Sequence, residues 1–128
     1  MGMNRFTKSS LAAVAVAIAL SACSSSTATP ETLPANVGLE VHAISGLKFD
    51  KSAYEATAGD IVVGYVNEDT IQHNLIVVKD ETKIADFALV VNKKNDTDSG
   101  TINLAAGNYV IMCTVPGHQN MKADLTVK

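Results

Sequence analysis

The chain has little cysteine, no basic cluster and no sustained helical periodicity. Its two cysteines are Cys23 and Cys113, and after residue 22 it contains eight lysines, no arginine and thirteen acidic residues, a formal charge of −5. Nucleic acid is therefore not an expected partner. Without amphipathic helices or internal repeats, the sequence favours a single domain made of strands.

The first residues have the pattern of an export signal. Arg5 and Lys8 precede an unbroken apolar run, Leu11–Leu20, and small residues follow it. Ten apolar residues are too few to span a bilayer as a mature helix, so we predict a signal peptide over residues 1–22. A buried N-terminal helix is the weaker interpretation because the run has no polar face.

Cys23 completes a segment, Leu-Ser-Ala-Cys, that resembles a bacterial lipobox. The resemblance implies that Cys23 becomes the first mature residue and carries acyl chains such as palmitate. Two or more chains would anchor the protein stably at a membrane. Ordinary secretion with a free Cys23 is the alternative.

Residues 23–36 are small, polar and proline-bearing, which predicts a flexible tether after the lipidated cysteine. We therefore expect an exported, lipid-anchored protein with its domain in the periplasm or on the extracellular face.

Residues 37–128 are predicted to form one all-β domain. Its 92 residues can bury a single modest core. Short β-branched runs separated by turn residues predict a two-sheet sandwich of seven or eight strands. Residues 87–91 fit a strand or a short helix, and residues 92–100 are expected to be a polar loop. The other strand candidates are residues 39–44, 48–50, 52–56, 61–67, 73–78, 101–104, 109–113 and 121–127.

Four side chains form a candidate metal site. Cys113, His118 and Met121 lie within nine residues, and His73 begins an earlier strand. Soft sulfur together with imidazole nitrogen favours copper over other metals, including adventitious zinc. Taken singly, the cysteine could be an inert buried thiol, the methionine core filling and each histidine structural. Their joint placement at strand ends favours a metal.

The segment Cys113-Thr-Val-Pro-Gly-His118 with Met121 resembles the copper loop of the cupredoxins, the small blue-copper proteins that include azurin and plastocyanin. Residues 65–74 resemble the strand and loop that carry the first histidine ligand. The resemblance implies a Greek-key β-sandwich or barrel with one mononuclear Cu(I)/Cu(II) ion.

Position by position, the resemblance implies that His73, Cys113 and His118 are strong copper ligands and Met121 a weak axial one. It also implies that Asn74 ties its strand to Thr114. Two residues separate His118 from Met121, where azurins have three and amicyanins two. A binuclear site would require a second cysteine at position 109 or 117, which are tyrosine and glycine.

The expected function is one-electron transfer between redox protein partners at the cell envelope. His118 would be the electron exit, surrounded by a small apolar patch of Val115, Pro116 and Gly117. The alternative is a copper lipoprotein for acquisition, delivery or resistance without redox turnover.

An enzyme is not expected, because catalytic metal sites keep an open position and no small-molecule site is evident. His42 is expected to be a surface or structural residue, and the acidic pairs Glu68/Asp69 and Asp80/Glu81 to be solvated.

Overall fold

The computed structural model describes residues 32–128, all of them strand, turn or irregular structure, with no helix in that range. No helix within these residues is long and apolar enough to cross a membrane. The predicted signal peptide, Cys23 and most of the predicted tether lie outside the described residues. The ten strands are β1 Leu39–Ile44, β2 Lys48–Phe49, β3 Ala53–Ala56, β4 Gly59–Asn67, β5 His73–Lys79, β6 Thr82–Lys83, β7 Leu89–Val91, β8 Thr97–Leu104, β9 Gly107–Met112 and β10 Lys122–Val127.

The strands form two sheets that pack face to face. One sheet has the order β2-β1-β4-β8, and the other has the order β3-β10-β9-β5-β6 with β7 also paired to β5. The β1–β4 and β3–β10 pairs are parallel, and all other pairs among the described residues are antiparallel. This arrangement confirms the predicted all-β, Greek-key sandwich.

Alternation of side chains along each strand builds the core between the sheets. In β1, for example, Leu39, Val41 and Ala43 are buried while the residues between them are exposed or half-buried. The opposite sheet supplies the facing side chains, including Tyr109 and Ile111 of β9. Each fully buried aliphatic side chain contributes about 1.5–3 kcal/mol of transfer free energy, so the core fixes which face of each strand points inward.

The structure corrects the prediction of a loop over residues 92–100. Strand β8 begins at Thr97 and pairs with β4 from Gly59 to Val66. Its first four residues, Thr-Asp-Ser-Gly, are polar or small, so hydrophobic alternation could not reveal them. The strand lies at the edge of its sheet, where backbone pairing with β4 takes the place of side-chain burial. Residues 87–91, which fitted a strand or a helix, contain strand β7.

The short strand β6 was not predicted. It pairs with the end of β5 through a two-residue turn formed by Asp80 and Glu81. Both turn residues have positive φ, 49° and 62°. This is the backbone conformation of the tight hairpin turns that match the twist of paired strands.

The chain before β1 packs on the outer face of the first sheet. Gly64 in β4 has no side chain, and a Cβ placed there would lie 2.8 Å from Leu33 Cδ1 and 3.1 Å from Val37 Cγ2. Gly38 N–H also donates to Val62 O at 2.8 Å. Of the predicted tether, only residues 32–36 are described, and Leu33 among them contacts the domain.

One end of the sandwich collects the predicted metal ligands. At this end β1 finishes at Ile44, β4 finishes at Asn67, β5 begins at His73 and β9 finishes at Met112. We call it the donor pole. His42, near this pole, is structural as expected: its ring nitrogens contact Glu68 Oε1 at 2.5 Å and Glu40 Oε1 at 2.7 Å.

Candidate metal centre

Three of the predicted ligands converge at the donor pole. One donor atom each from His73, Cys113 and His118 lie within 4.8 Å of one another, and all three residues are buried. Cys113 Sγ is 3.5 Å from His118 Nδ1. The two imidazole rings are tilted by 46°, with centroids 4.9 Å apart. A thiol sulfur and two imidazoles therefore face one small volume.

Strand pairing explains why His73 and Cys113 meet. Strands β5 and β9 are antiparallel neighbours, with Ile76 opposite Met112. The start of β5 therefore lies beside the end of β9. His73 is the first residue of β5, and Cys113 follows the last residue of β9. Since both side chains point inward, the strand register alone brings them to the same end of the core.

Backbone hydrogen bonds fold the segment from Cys113 to Met121 into a compact loop. His118 N–H donates to Val115 O at 2.9 Å, Met121 N–H to His118 O at 2.8 Å, and Cys113 N–H to Met121 O at 3.0 Å. Gly117 has φ of +89°, a left-handed conformation that glycine adopts without steric cost. The loop returns His118 over the pole and places Met121, which is fully buried, beside the backbone of Cys113.

The hydrogen bonding of His73 leaves one ring nitrogen without a partner. His73 Nε2 lies 3.0 Å from Asp69 Oδ2. Nδ1 is the one buried side-chain nitrogen or oxygen in residues 32–128 that has no hydrogen-bond partner. Buried polar atoms are nearly always paired, so an unpaired imidazole nitrogen beside a cysteine and a second histidine fits a metal ligand.

A family model of copper-binding proteins of the plastocyanin/azurin type matches residues 35–128. The chain belongs to this family. The site is thus a copper centre, and His73, Cys113, His118 and Met121 are positioned for a single copper ion. Thiolate, imidazole and thioether donors suit that metal chemically.

Solved structures of several proteins resemble the chain. Auracyanin A, a "blue" copper protein from the green thermophilic photosynthetic bacterium Chloroflexus aurantiacus, is 27% identical with a TM-score of 0.62, over 70% of this chain and 97% of that one. Auracyanin from Roseiflexus castenholzii is 24% identical with a TM-score of 0.60, over 70% and 95%. Amicyanin from Paracoccus versutus is 20% identical with a TM-score of 0.56, over 77% and 88%. Among curated protein sequences, no significant match was found.

Asn74 joins the two strands that carry the copper centre. Its side chain donates from Nδ2 to Thr114 Oγ1 at 2.8 Å and accepts at Oδ1 from Thr114 N–H at 2.6 Å. Its backbone N–H points at Cys113 Sγ, 3.5 Å away. Asn74 and Thr114, the pair that the family resemblance indicated, are therefore in direct contact. These bonds hold the sulfur and its strand against β5, and such outer contacts orient metal ligands.

The loop between β4 and β5 is also fixed by side-chain hydrogen bonds. Asn67, fully buried, donates from Nδ2 to Ile71 O at 2.8 Å and accepts at Oδ1 from Asp69 N–H at 2.9 Å. Thr70 N–H donates to Asp69 Oδ1 at 2.8 Å. The loop thus delivers the Asp69 carboxylate to His73 from a defined position.

The expectation that Asp69 is solvated was wrong. Asp69 is 9% exposed, and one carboxylate oxygen contacts His73. The backbone N–H of Thr70, followed by the hydrogen bond with His73, lowers the pKa of the Asp69 carboxyl below its ordinary value. The available signal was an Asn-x-Asp turn four residues before the histidine. Turn composition alone does not show whether the carboxylate faces solvent or the site.

We predict that Asn74→Ala lowers the free energy of unfolding of the copper-free protein by about 1–3 kcal/mol, because two hydrogen bonds between β5 and the cysteine loop are lost. Urea unfolding measures this change. Thr114→Val is the matched control, since it removes the hydroxyl acceptor and keeps the backbone N–H bond to Asn74. It should cost about 0.5–1.5 kcal/mol. An Asn74→Ala variant as stable as the wild type would show that these bonds do not hold the loop.

Proposed function

We propose that this protein is a type 1 (blue) copper electron carrier, with His73, Cys113 and His118 as strong ligands and Met121 as a weak axial one. The observation that carries the proposal is the buried cluster of Cys113 sulfur and two imidazoles, with His73 Nδ1 unpaired. Copper would supply one-electron chemistry between Cu(I) and Cu(II). The chain would supply a fixed donor set and exclude water.

The way in which the ligands are held supports a carrier over a delivery protein. His73, Cys113 and Met121 have no exposed surface, and their loops are closed by backbone and side-chain hydrogen bonds. A site that cannot relax keeps similar geometry in both oxidation states, which lowers the reorganisation needed for electron transfer. A delivery site must open to release its metal, and this arrangement resists opening.

The proposed electron exit is His118. It is 8% exposed, whereas the other three proposed ligands are 0% exposed. Pro116 and Gly117 beside it are exposed, and Val115 is half-buried. Ile71, 43% exposed, lies in the neighbouring loop at the same pole. A partner that covers this small apolar surface would approach copper through a single imidazole edge.

We predict that residues 24–128, which comprise the tether and the domain, show intense sulfur-to-copper charge-transfer absorption and a narrow copper hyperfine splitting in the EPR spectrum when loaded with Cu(II). Cys113→Ala should abolish the intense absorption, because the sulfur donor is gone. Met121→Leu is the matched control, which removes the thioether and retains the apolar volume. It should keep the colour and change the reduction potential.

A colourless Cu(II) complex of the wild-type chain would overturn the electron-carrier proposal and favour copper binding without redox turnover. Loss of binding in Met121→Leu would show that Met121 is a strong ligand, contrary to its proposed weak axial role.

The distribution of charge makes the donor pole the end of the domain that would repel an acidic partner least. Five lysines lie at or beside the donor pole: Lys48, Lys51, Lys93, Lys94 and Lys122. Six acidic residues also lie at or beside this pole and accept hydrogen bonds within the domain: Glu40, Asp50, Glu68, Asp69, Asp96 and Asp98. The rest of residues 32–128 carries three lysines and six acids. The end that holds the copper centre is therefore close to neutral, and it is the less negative end of residues 32–128.

We predict that the double variant Lys93→Gln/Lys94→Gln slows oxidation of the reduced protein by anionic hexacyanoferrate(III) about threefold or more at low ionic strength, because two positive charges at the donor pole are lost. The effect should reverse in sign with cationic tris(phenanthroline)cobalt(III). Lys83→Gln/Lys128→Gln removes the same charge from the opposite pole and should change both rates less. Equal effects of the two variants, measured by stopped-flow absorption, would exclude steering by the donor pole.

We also propose that Cys23 carries a lipid and that the following segment links the domain to the cell envelope, within reach of membrane-bound redox partners. The lipobox-like segment and the polar residues after it support this. In a bacterial host, the N-terminal peptide of the mature full chain should have the mass of an acylated Cys23. Cys23→Ala should move the protein from the detergent phase to the aqueous phase. An unmodified Cys23 in the mature chain would exclude the anchor.

A further inference from the structure

The contact between Asp69 and His73 has a chemical consequence for the copper centre. An ionised carboxylate only accepts hydrogen bonds, so the ring nitrogen that faces it must carry the proton. That nitrogen is Nε2, 3.0 Å from Asp69 Oδ2. Nδ1 is then the nitrogen with a free lone pair, and it is the buried atom that has no partner.

The carboxylate is held so that this hydrogen bond persists. One oxygen accepts the backbone N–H of Thr70, and the backbone N–H of Asp69 is itself bound by the buried Asn67. The His73 side chain is 0% exposed and that of Asp69 is 12% exposed. Water competes little for a contact buried to this extent, so the negative charge acts on the imidazole with little screening.

We propose that Asp69 is a positioning residue of the copper centre that fixes the Nδ1-coordinating tautomer of His73 and lowers the reduction potential. A carboxylate bound to the outer nitrogen of a metal-ligating histidine raises the basicity of the ligand. A negative charge close to the metal also favours the more highly charged oxidation state. Both effects stabilise Cu(II) relative to Cu(I). The inference rests on the proposed function, since it concerns copper at this site.

Asp69 could instead serve only to shape its loop, through Thr70 N–H. The chain offers two controls that separate these roles. Asp96 shapes a neighbouring loop, where its Oδ2 accepts the backbone N–H groups of Asn92 and Lys93 without a ligand contact. Glu68 is the next acidic residue in sequence and contacts His42. Asp96→Asn therefore reports on loop shape, and Glu68→Gln on the loss of a nearby charge.

The first measurement is a redox titration of the copper-loaded full chain against a mediator of known potential. Asp69→Asn should raise the ratio of Cu(I) to Cu(II) at a fixed potential about tenfold, a shift of about +59 mV for one electron. Asp96→Asn and Glu68→Gln should each change the ratio less than about threefold, because neither group contacts a ligand. A shift in Asp69→Asn no larger than in these controls would overturn the proposal.

The second measurement requires neither copper nor a variant. Nitrogen NMR of the copper-free wild-type chain should show His73 protonated at Nε2 and unprotonated at Nδ1. The opposite tautomer would overturn the proposal even if Asp69→Asn failed to fold. Failure of this proposal can be told apart from failure of the proposed function. Absence of the blue copper absorption would contradict the function, whereas the NMR of the copper-free chain would still report which nitrogen of His73 is protonated.

Discussion

The reciprocal hydrogen bonds between Asn74 and Thr114 fix the distance on which the copper centre depends. Asn74 follows one proposed ligand, His73, and Thr114 follows another, Cys113. Two side-chain bonds of 2.8 and 2.6 Å join them across β5 and β9. The backbone N–H of Asn74 also faces the cysteine sulfur. A single asparagine therefore aligns the two strands, sets the approach of histidine to sulfur and supplies a hydrogen bond toward the sulfur.

The copper-free site has an energetic cost, which the rest of the fold must offset. A buried polar atom left without a partner costs about 1–3 kcal/mol. Among the described residues this condition is met by His73 Nδ1, at the metal site. The surrounding loops are closed by their own hydrogen bonds, and the contact of Nε2 with Asp69 holds the buried imidazole in this orientation. The copper-free fold is thus already arranged for a ligand, and metal binding would satisfy the one buried side-chain nitrogen or oxygen that lacks a partner in residues 32–128.

The donor set was predictable because most of it is local in sequence. Cys113, His118 and Met121 share one loop, and alternation along β9 places the cysteine on its inward face. The fold class followed from β-branched runs separated by turns. Strand β8 was partly missed because Thr97 to Gly100 are polar or small, and their conformation is set by pairing with β4. Strand β6 was missed because two exposed residues, Thr82 and Lys83, carry no hydrophobic pattern.

Asp69 shows which part of such a site escapes a motif. The residues that touch a metal are recognised by type and spacing, since few side chains are suitable donors. The group that binds the far side of a ligand needs only an acceptor oxygen, which a backbone carbonyl, an amide or a carboxylate can provide. Its identity changes the charge beside the metal while leaving the donor set intact. The buried Asn67 holds the loop so that a carboxylate fills this place. Proteins with the same four donors can therefore differ in potential through one loop residue. Such differences are visible only when side-chain contacts are known.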